Sequence, residues 1–157
     1  MKHLAWALGL MAFALWPHAV LAQPVFPFAD ARVETVRVPY TMLVERLERA
    51  IEANSMRLVA RASATVGAAE RGLAIPGNAV LMVFRNDYAV RMLEASVAAG
   101  IEAPIRFYVT ENRDGTTSLS WRPPSAVFSP YRNAALDALA AELDPIFARI
   151  AADALGR

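Results

Sequence analysis

Arg85, Asn86 and Arg91 bracket what reads as the start of a helix, and their chemistry is that of an anion site. Free backbone N–H groups in the first turn favour negative charge, and two guanidiniums can grip a carboxylate or phosphate. Asp87 stands at the same point; as a cap it takes those N–H groups itself and leaves the arginines as surface charges. A second candidate is a polar sheet face where Arg106 and Tyr108, with Ser118 and Ser120, would lie beside Arg57 and Arg61, either binding a small molecule or facing water. The third is a set of acids, Asp87, Glu94, Glu102 and Asp114, the first and second of them two helical turns apart. Paired carboxylates with arginines would do hydrolase or lyase work, but Asp114 is accounted for by a turn and Glu102 by an exposed loop.

What else these residues can do is limited by what the chain lacks. Met1 to Ala22 reads as a secretory signal: Lys2 and His3 open it, an apolar run follows from Leu4 to Trp16, Pro17 breaks it, and Val20-Leu21-Ala22 is a small-residue cleavage site. The apolar run is shorter than the ~20 residues a membrane-spanning helix needs, so no stable anchor is expected after cleavage. Periplasmic or secreted localisation, with Gln23 as first residue, follows as an expectation. Lys2 is the sole lysine, His3 and His18 are the sole histidines, and there is no cysteine, so the chain beyond Ala22 has none of the three. Serine–histidine and cysteine–histidine nucleophiles, Schiff bases, and zinc, copper or haem ligation by imidazole or thiolate are thereby excluded. Asn112-Arg113-Asp114-Gly115 lacks the repeated acids of a calcium loop, and no cofactor is expected. Tyr40, Tyr88, Trp121, Phe128 and Tyr131 read as core or rim packing.

With Lys2 gone, the 16 basic residues become 15 arginines against 15 Asp and Glu. A balanced chain is not the electrostatic footprint of a nucleic-acid or anionic-membrane binder. The 135 residues left of 157 suit one domain that folds without disulfides.

The positioning elements follow from periodicity. Gln23 to Ala31 is an extended lead-in, and Arg32 to Val38 a first strand. Thr41 caps a helix to Asn54 with Leu43, Leu47, Ala50 and Ile51 on one face. Met56, Leu58, Ala60 and Ala62 alternate with Arg57, Val59 and Arg61 in a second strand, and a short helical turn is expected over Val66–Arg71. Ala79 to Phe84 has no polar residue, which predicts a strand buried on both faces near the middle of the sheet. A helix over Asp87–Ala99, capped by Asn86 or Asp87, puts Ala89, Leu93, Ser96 and Val97 inward and stops at Gly100. Ile105, Phe107 and Val109 alternate with Arg106, Tyr108 and Thr110, turn at Asn112–Gly115, and return through Thr117, Leu119 and Trp121. Asn133 opens a last helix, Asp144-Pro145 predicts a kink or restart in it, and Gly156 ends it.

Val83-Phe84-Arg85-Asn86, the following helix, Ala103-Pro104-Ile105-Arg106, Asp114-Gly115 and Ser120-Trp121-Arg122-Pro123-Pro124 resemble the bacterial domain of unknown function 302 family. The resemblance covers residues 32 to 128, leaving 129–157 as a C-terminal helical extension, and implies a small α+β domain without bringing an activity. Where members commonly read Phe-Gly-Asn-Pro and then Gly-Thr, this chain has Phe84-Arg85-Asn86-Asp87 and Val90-Arg91. Where many carry a histidine after the second strand it has Ser63-Ala64-Thr65. A site built on those positions is altered here.

The expectation is therefore one α+β domain: a mainly antiparallel sheet of about five strands, helices on one face and a C-terminal helix alongside. The leading functional expectation is an exported, non-enzymatic binding or interaction module for a small molecule or protein, with a homodimer compatible. The alternatives are a carboxylate and arginine hydrolase or lyase, and a carrier holding an apolar ligand between sheet and helices near Met56, Met82 and Met92.

Overall fold

The computed structural model describes residues 28–157, so the expected export signal, the expected cleavage site and most of the lead-in lie outside the described residues. Five strands, β1 (Arg32–Val36), β2 (Arg57–Ala62), β3 (Asn78–Phe84), β4 (Ile105–Glu111) and β5 (Thr117–Trp121), form one antiparallel sheet in the order β1-β5-β4-β3-β2. Alternation along β4 turns Ile105, Phe107 and Val109 toward the helices and Arg106 and Tyr108 away from them. The helical layer is α1 (Tyr40–Ala53), α3 (Asn86–Ala95) and α5 (Ala134–Leu155), with α2 (Ala64–Glu70) and α4 (Pro124–Phe128) as short connectors. Leu43, Leu47 and Ile51 of α1 and Leu136, Phe147 and Ile150 of α5 share one core with Leu81, Phe107 and Leu119 of the sheet. Phe107 stacks on Phe147 with ring centres 5.3 Å apart and meets Trp121 at 5.8 Å. No helix of the described residues is long and apolar enough to cross a membrane.

The α+β architecture is as expected, and five local expectations are corrected. The helix α1 starts at Tyr40 with Pro39 in the capping position and no side-chain cap, so Thr41 lies inside the first turn. The strand β3 is not buried on both faces. Ala79, Leu81 and Val83 are buried while Val80, Met82 and Phe84 are half-exposed, because the helices cover one face only. The place of β3 near the middle is as expected: it lies between β2 and the central strand β4.

A bulge at Val59 shifts the β2–β3 register between Leu58 and Ala60, which turns Arg61 to the helix side, where it meets Glu48 of α1 at 3.0 Å. Arg61 therefore leaves the face that carries Arg106.

The central helix stops earlier than expected, at an extended Ser96 followed by a 3-10 turn over Val97–Glu102, and Gly100 lies within that turn instead of closing a helix. Its inward stripe is Tyr88, Met92, Ala95 and Ala99, not Leu93 and Val97, which are 44% and 80% exposed. Two apolar stripes lie side by side on this helix, and the one with small residues allows close approach to α5. Finally, α5 runs unbroken through Pro145, and Asp144 accepts instead from the Ser125 N–H at 2.9 Å, at the start of α4. Leu143 before the missing N–H and Ile146 and Phe147 after it are all buried and hold the helix together there.

Candidate functional site

The helix terminus that carries Arg85, Asn86 and Arg91 is electrostatically occupied. The residue capping α3 is Arg85 rather than Asn86 or Asp87, and no side chain caps it; Asn86 is the first helical residue. Arg85 grips Asp87 with both arms, Nε to Oδ1 at 2.8 Å and Nη2 to Oδ2 at 3.0 Å, and lies over the Tyr88 ring at 4.2 Å. Arg91 grips Glu142 of α5 in the same way at 2.8 and 2.6 Å. The hydrogen bonds from these guanidiniums hold the Asp87 and Glu142 carboxyls below their ordinary range and raise the arginines above theirs. Each of these guanidiniums is thus already matched to a carboxylate, Arg85 within the start of α3 and Arg91 across to α5.

Arg106 and Tyr108 have different surroundings. They stand on the open face of β4, and the β4–β5 register sets Tyr108 directly opposite Ser120, with Phe107 opposite Trp121. Arg122, the residue after β5, lines the same cleft as Arg106, Tyr108 and Ser120, so four polar side chains gather in a patch at this end of the sheet. Like charges in one cleft are unfavourable, and Arg122 is offset by Asp30: Nη2 donates to Asp30 Oδ2 at 3.0 Å and to the Ala126 carbonyl at 2.9 Å. That bond is the main reason the Asp30 carboxyl sits below its usual range. Arg106 forms no ion pair among the described residues.

The patch is the polar side of a cleft of about 180 Å³. Its apolar side is made by Ile105 and Trp121 at the strand ends, Val127 of α4, and Phe28 and Ala31 of the lead-in; Glu102 also reaches it. The Phe28 ring packs 4.5 Å from the Arg122 guanidinium and is half-exposed, while the Tyr131 hydroxyl donates to Glu102 at 3.2 Å. Two polar atoms in the patch are buried and unpartnered among the described residues: Ser120 Oγ and Arg122 Nε. The contrast with Ser118, two residues earlier on the same face, is instructive. Ser118 is fully buried too, but bonds Thr35 Oγ1 at 2.9 Å and Asn112 Nδ2 at 2.8 Å. A buried hydroxyl without a partner costs about 1–3 kcal/mol, and such groups call for an explanation.

The remaining candidates do not assemble. Asp114 is held by the Thr116 N–H at 3.0 Å and Thr116 Oγ1 at 2.6 Å, closing the hairpin turn and lowering its own pKa. Asp87 is taken by Arg85, and Glu94 lies on the exposed side of α3. The carboxyls of Asp87 and Asp114 are lowered, opposite to the raised pKa a general acid needs. No group of three or more acids placed to hold a metal ion occurs among the described residues. The gap between sheet and helices beside Met56 and Met92 holds about 30 Å³, room for roughly one or two waters and too small for an apolar ligand.

Arg122 escapes a reading of the sequence that stops at Trp121, although the alternation Ser118, Ser120, Arg122 continues across it. Once the turn at Asn112–Gly115 is set, the pairs from Glu111–Thr117 to Phe107–Trp121 are set too. Phe28 and Asp30 carried no signal, since lead-in residues have no periodicity to betray which face they cover.

The fold has a solved relative: the crystal structure of an uncharacterized conserved protein DUF302 from Bacillus stearothermophilus superposes with a TM-score of 0.72 at 21% identity, covering 81% of this chain and 99% of that one. No curated protein matches the sequence. The model of the family described as Domain of unknown function DUF302 matches residues 32–154, from the first residue of β1 almost to the end of α5, and the chain belongs to that family.

Proposed function

We propose that this domain is an exported, non-enzymatic binding module that takes a small molecule in the cleft between the Arg106–Tyr108–Ser120–Arg122 patch and the walls of Phe28, Ile105, Trp121 and Val127. The observation that carries the reading is the pair of buried, unpartnered atoms, Ser120 Oγ and Arg122 Nε, in residues that line one cleft. A bound acceptor group would satisfy both, and the apolar walls would cover the rest of such a ligand. Ser120 is only 3% exposed, so the ligand reaches its hydroxyl by displacing a rim side chain, and the half-exposed Phe28 ring is the most exposed of the apolar walls. Export rests on the signal-like stretch ending at Ala22.

The test is a native mass spectrum of the chain beginning at Gln23, purified from the exported fraction. The expected result is a co-purifying small-molecule mass that is lost on Arg106→Ala and kept on Arg91→Ala. A clean apo mass, together with cleft NMR signals that no small-molecule panel moves, would overturn the binding reading in favour of a protein partner. The same spectrum reads whether the chain is a homodimer.

A further inference from the structure

Building on that reading of the cleft, we propose that its ligand is a free α-amino acid with an apolar side chain, either branched aliphatic or a single ring. The charges argue for both ends of a zwitterion. On one side of the cleft stand donors: the Arg106 guanidinium, Arg122 Nε, the Ser120 hydroxyl and the Tyr108 phenol. A carboxylate offers about four acceptor sites and matches such a set. Glu102 lines the same cleft, and its recorded bond is a single one from the Tyr131 hydroxyl, so its carboxylate keeps acceptor capacity for an ammonium group.

The local balance decides between a zwitterion and a simple acid. Arg106, Arg122 and Glu102 line the cleft; Arg122 is already paired with Asp30, which does not line it, so the charges left to a ligand are one guanidinium, Arg106, and one carboxylate, Glu102. A lone anion gains from the guanidinium and loses to the carboxylate, and a lone cation does the reverse. A zwitterion that sets each end against its counter-charge gains at both.

Size sets the side chain. A cleft of about 180 Å³ slightly exceeds the ~150 Å³ cavity that accommodates benzene, so one ring or a branched four-carbon chain fills the apolar side and leaves room for the head group. A charged side chain would meet Trp121, Ile105 and Val127 with nothing to pair it.

The experiment compares three probes on the chain beginning at Gln23 by calorimetry and NMR: phenylalanine, 3-phenylpropanoate, which lacks the ammonium, and phenethylamine, which lacks the carboxylate. Phenylalanine is expected to bind at least about tenfold tighter than either analogue. Glu102→Gln keeps an acceptor for Tyr131 and should erase the advantage over 3-phenylpropanoate alone. Arg106→Ala should erase the advantage over phenethylamine. If 3-phenylpropanoate binds as tightly as phenylalanine at the cleft resonances, or if Glu102→Gln leaves the ratio unchanged, the zwitterion is overturned while the cleft remains a binding site. If none of the three moves the signals of Tyr108, Ser120 and Trp121, and an acceptor-bearing panel also fails, both readings fall together.

Discussion

Ser120 stands directly opposite Tyr108 across the β4–β5 ladder, and its hydroxyl is buried without a partner among the described residues, where Ser118 has two. A polar atom held that way costs stability in the empty protein and is recovered only when something bonds to it. Ser120→Ala should therefore raise stability by about 1 kcal/mol in chemical denaturation while weakening ligand binding. Ser118→Ala, which strands Thr35 and Asn112, should lower it by a similar amount. Equal losses from both substitutions would mean that Ser120 has a partner after all.

Gly77 lies flat against the ring of Tyr40: a Cβ at that position would fall 2.6 Å from both Cγ and Cδ1. Its φ is not in the left-handed region, so alanine is excluded by crowding and not by backbone conformation. Gly77→Ala should cost about 1–3 kcal/mol, and much less in a Tyr40→Leu background. A double-mutant cycle by urea unfolding reads the difference; the same cost in both backgrounds would remove Tyr40 as the cause.

Phe107 is fully buried between Phe147 and Trp121. Phe107→Ala should destabilise by about 3–5 kcal/mol, the range for losing an aromatic ring from a packed core. Its neighbour Tyr108 faces the open side at 36% exposure, and Tyr108→Ala should cost about 1 kcal/mol or less while impairing the cleft. Denaturant midpoints of the two variants, with unchanged slopes, check the ranking.

The pH dependence follows from four carboxyls. Asp30, Asp87, Asp114 and Glu142 all titrate below their usual values of 3.8 and 4.5, chiefly through hydrogen bonds from Arg122, Arg85, Thr116 and Arg91. Folded-state values lowered this way contribute stability above the unfolded-state pKa and lose it as pH falls through the folded one. Beyond Ala22 no histidine or cysteine is present to titrate near neutrality. The thermal midpoint of the chain from Gln23 should be flat from about pH 8 to about pH 5 and fall below about pH 4. A step between pH 6 and 7 would contradict this.

Legibility along the chain tracked the range of the interactions involved. The hairpin was readable because Asn112–Gly115 carries its own turn, with Gly115 at φ +78°, and one turn determines all the pairs beyond it. Asn133 was readable as a cap, and its side chain accepts from the N–H groups of Ala135 and Leu136. The bulge at Val59 was not, since an alternating pattern looks the same with or without one extra residue, yet it moves Arg61 to the other face. Nor was the inward face of α3, where two apolar stripes compete and only the presence of α5 selects one.

Composition and local pattern by themselves determined which chemistries are open to the chain, the alternation of β4, and how β4 pairs with β5. Those depend on residue identity and on neighbours a few positions apart. Only the tertiary structure decided which arginines remain available to a ligand. Arg91 is taken by Glu142, 51 residues away; Arg122 pairs through Nη2 with Asp30, 92 residues away, and keeps Nε for the cleft, where Arg106 stands without an ion pair among the described residues. Pairing through space over such separations leaves no period in the sequence, and a cleft assembled from two strands, a 3-10 turn, a short helix and a lead-in exists only once the sheet has brought their ends together.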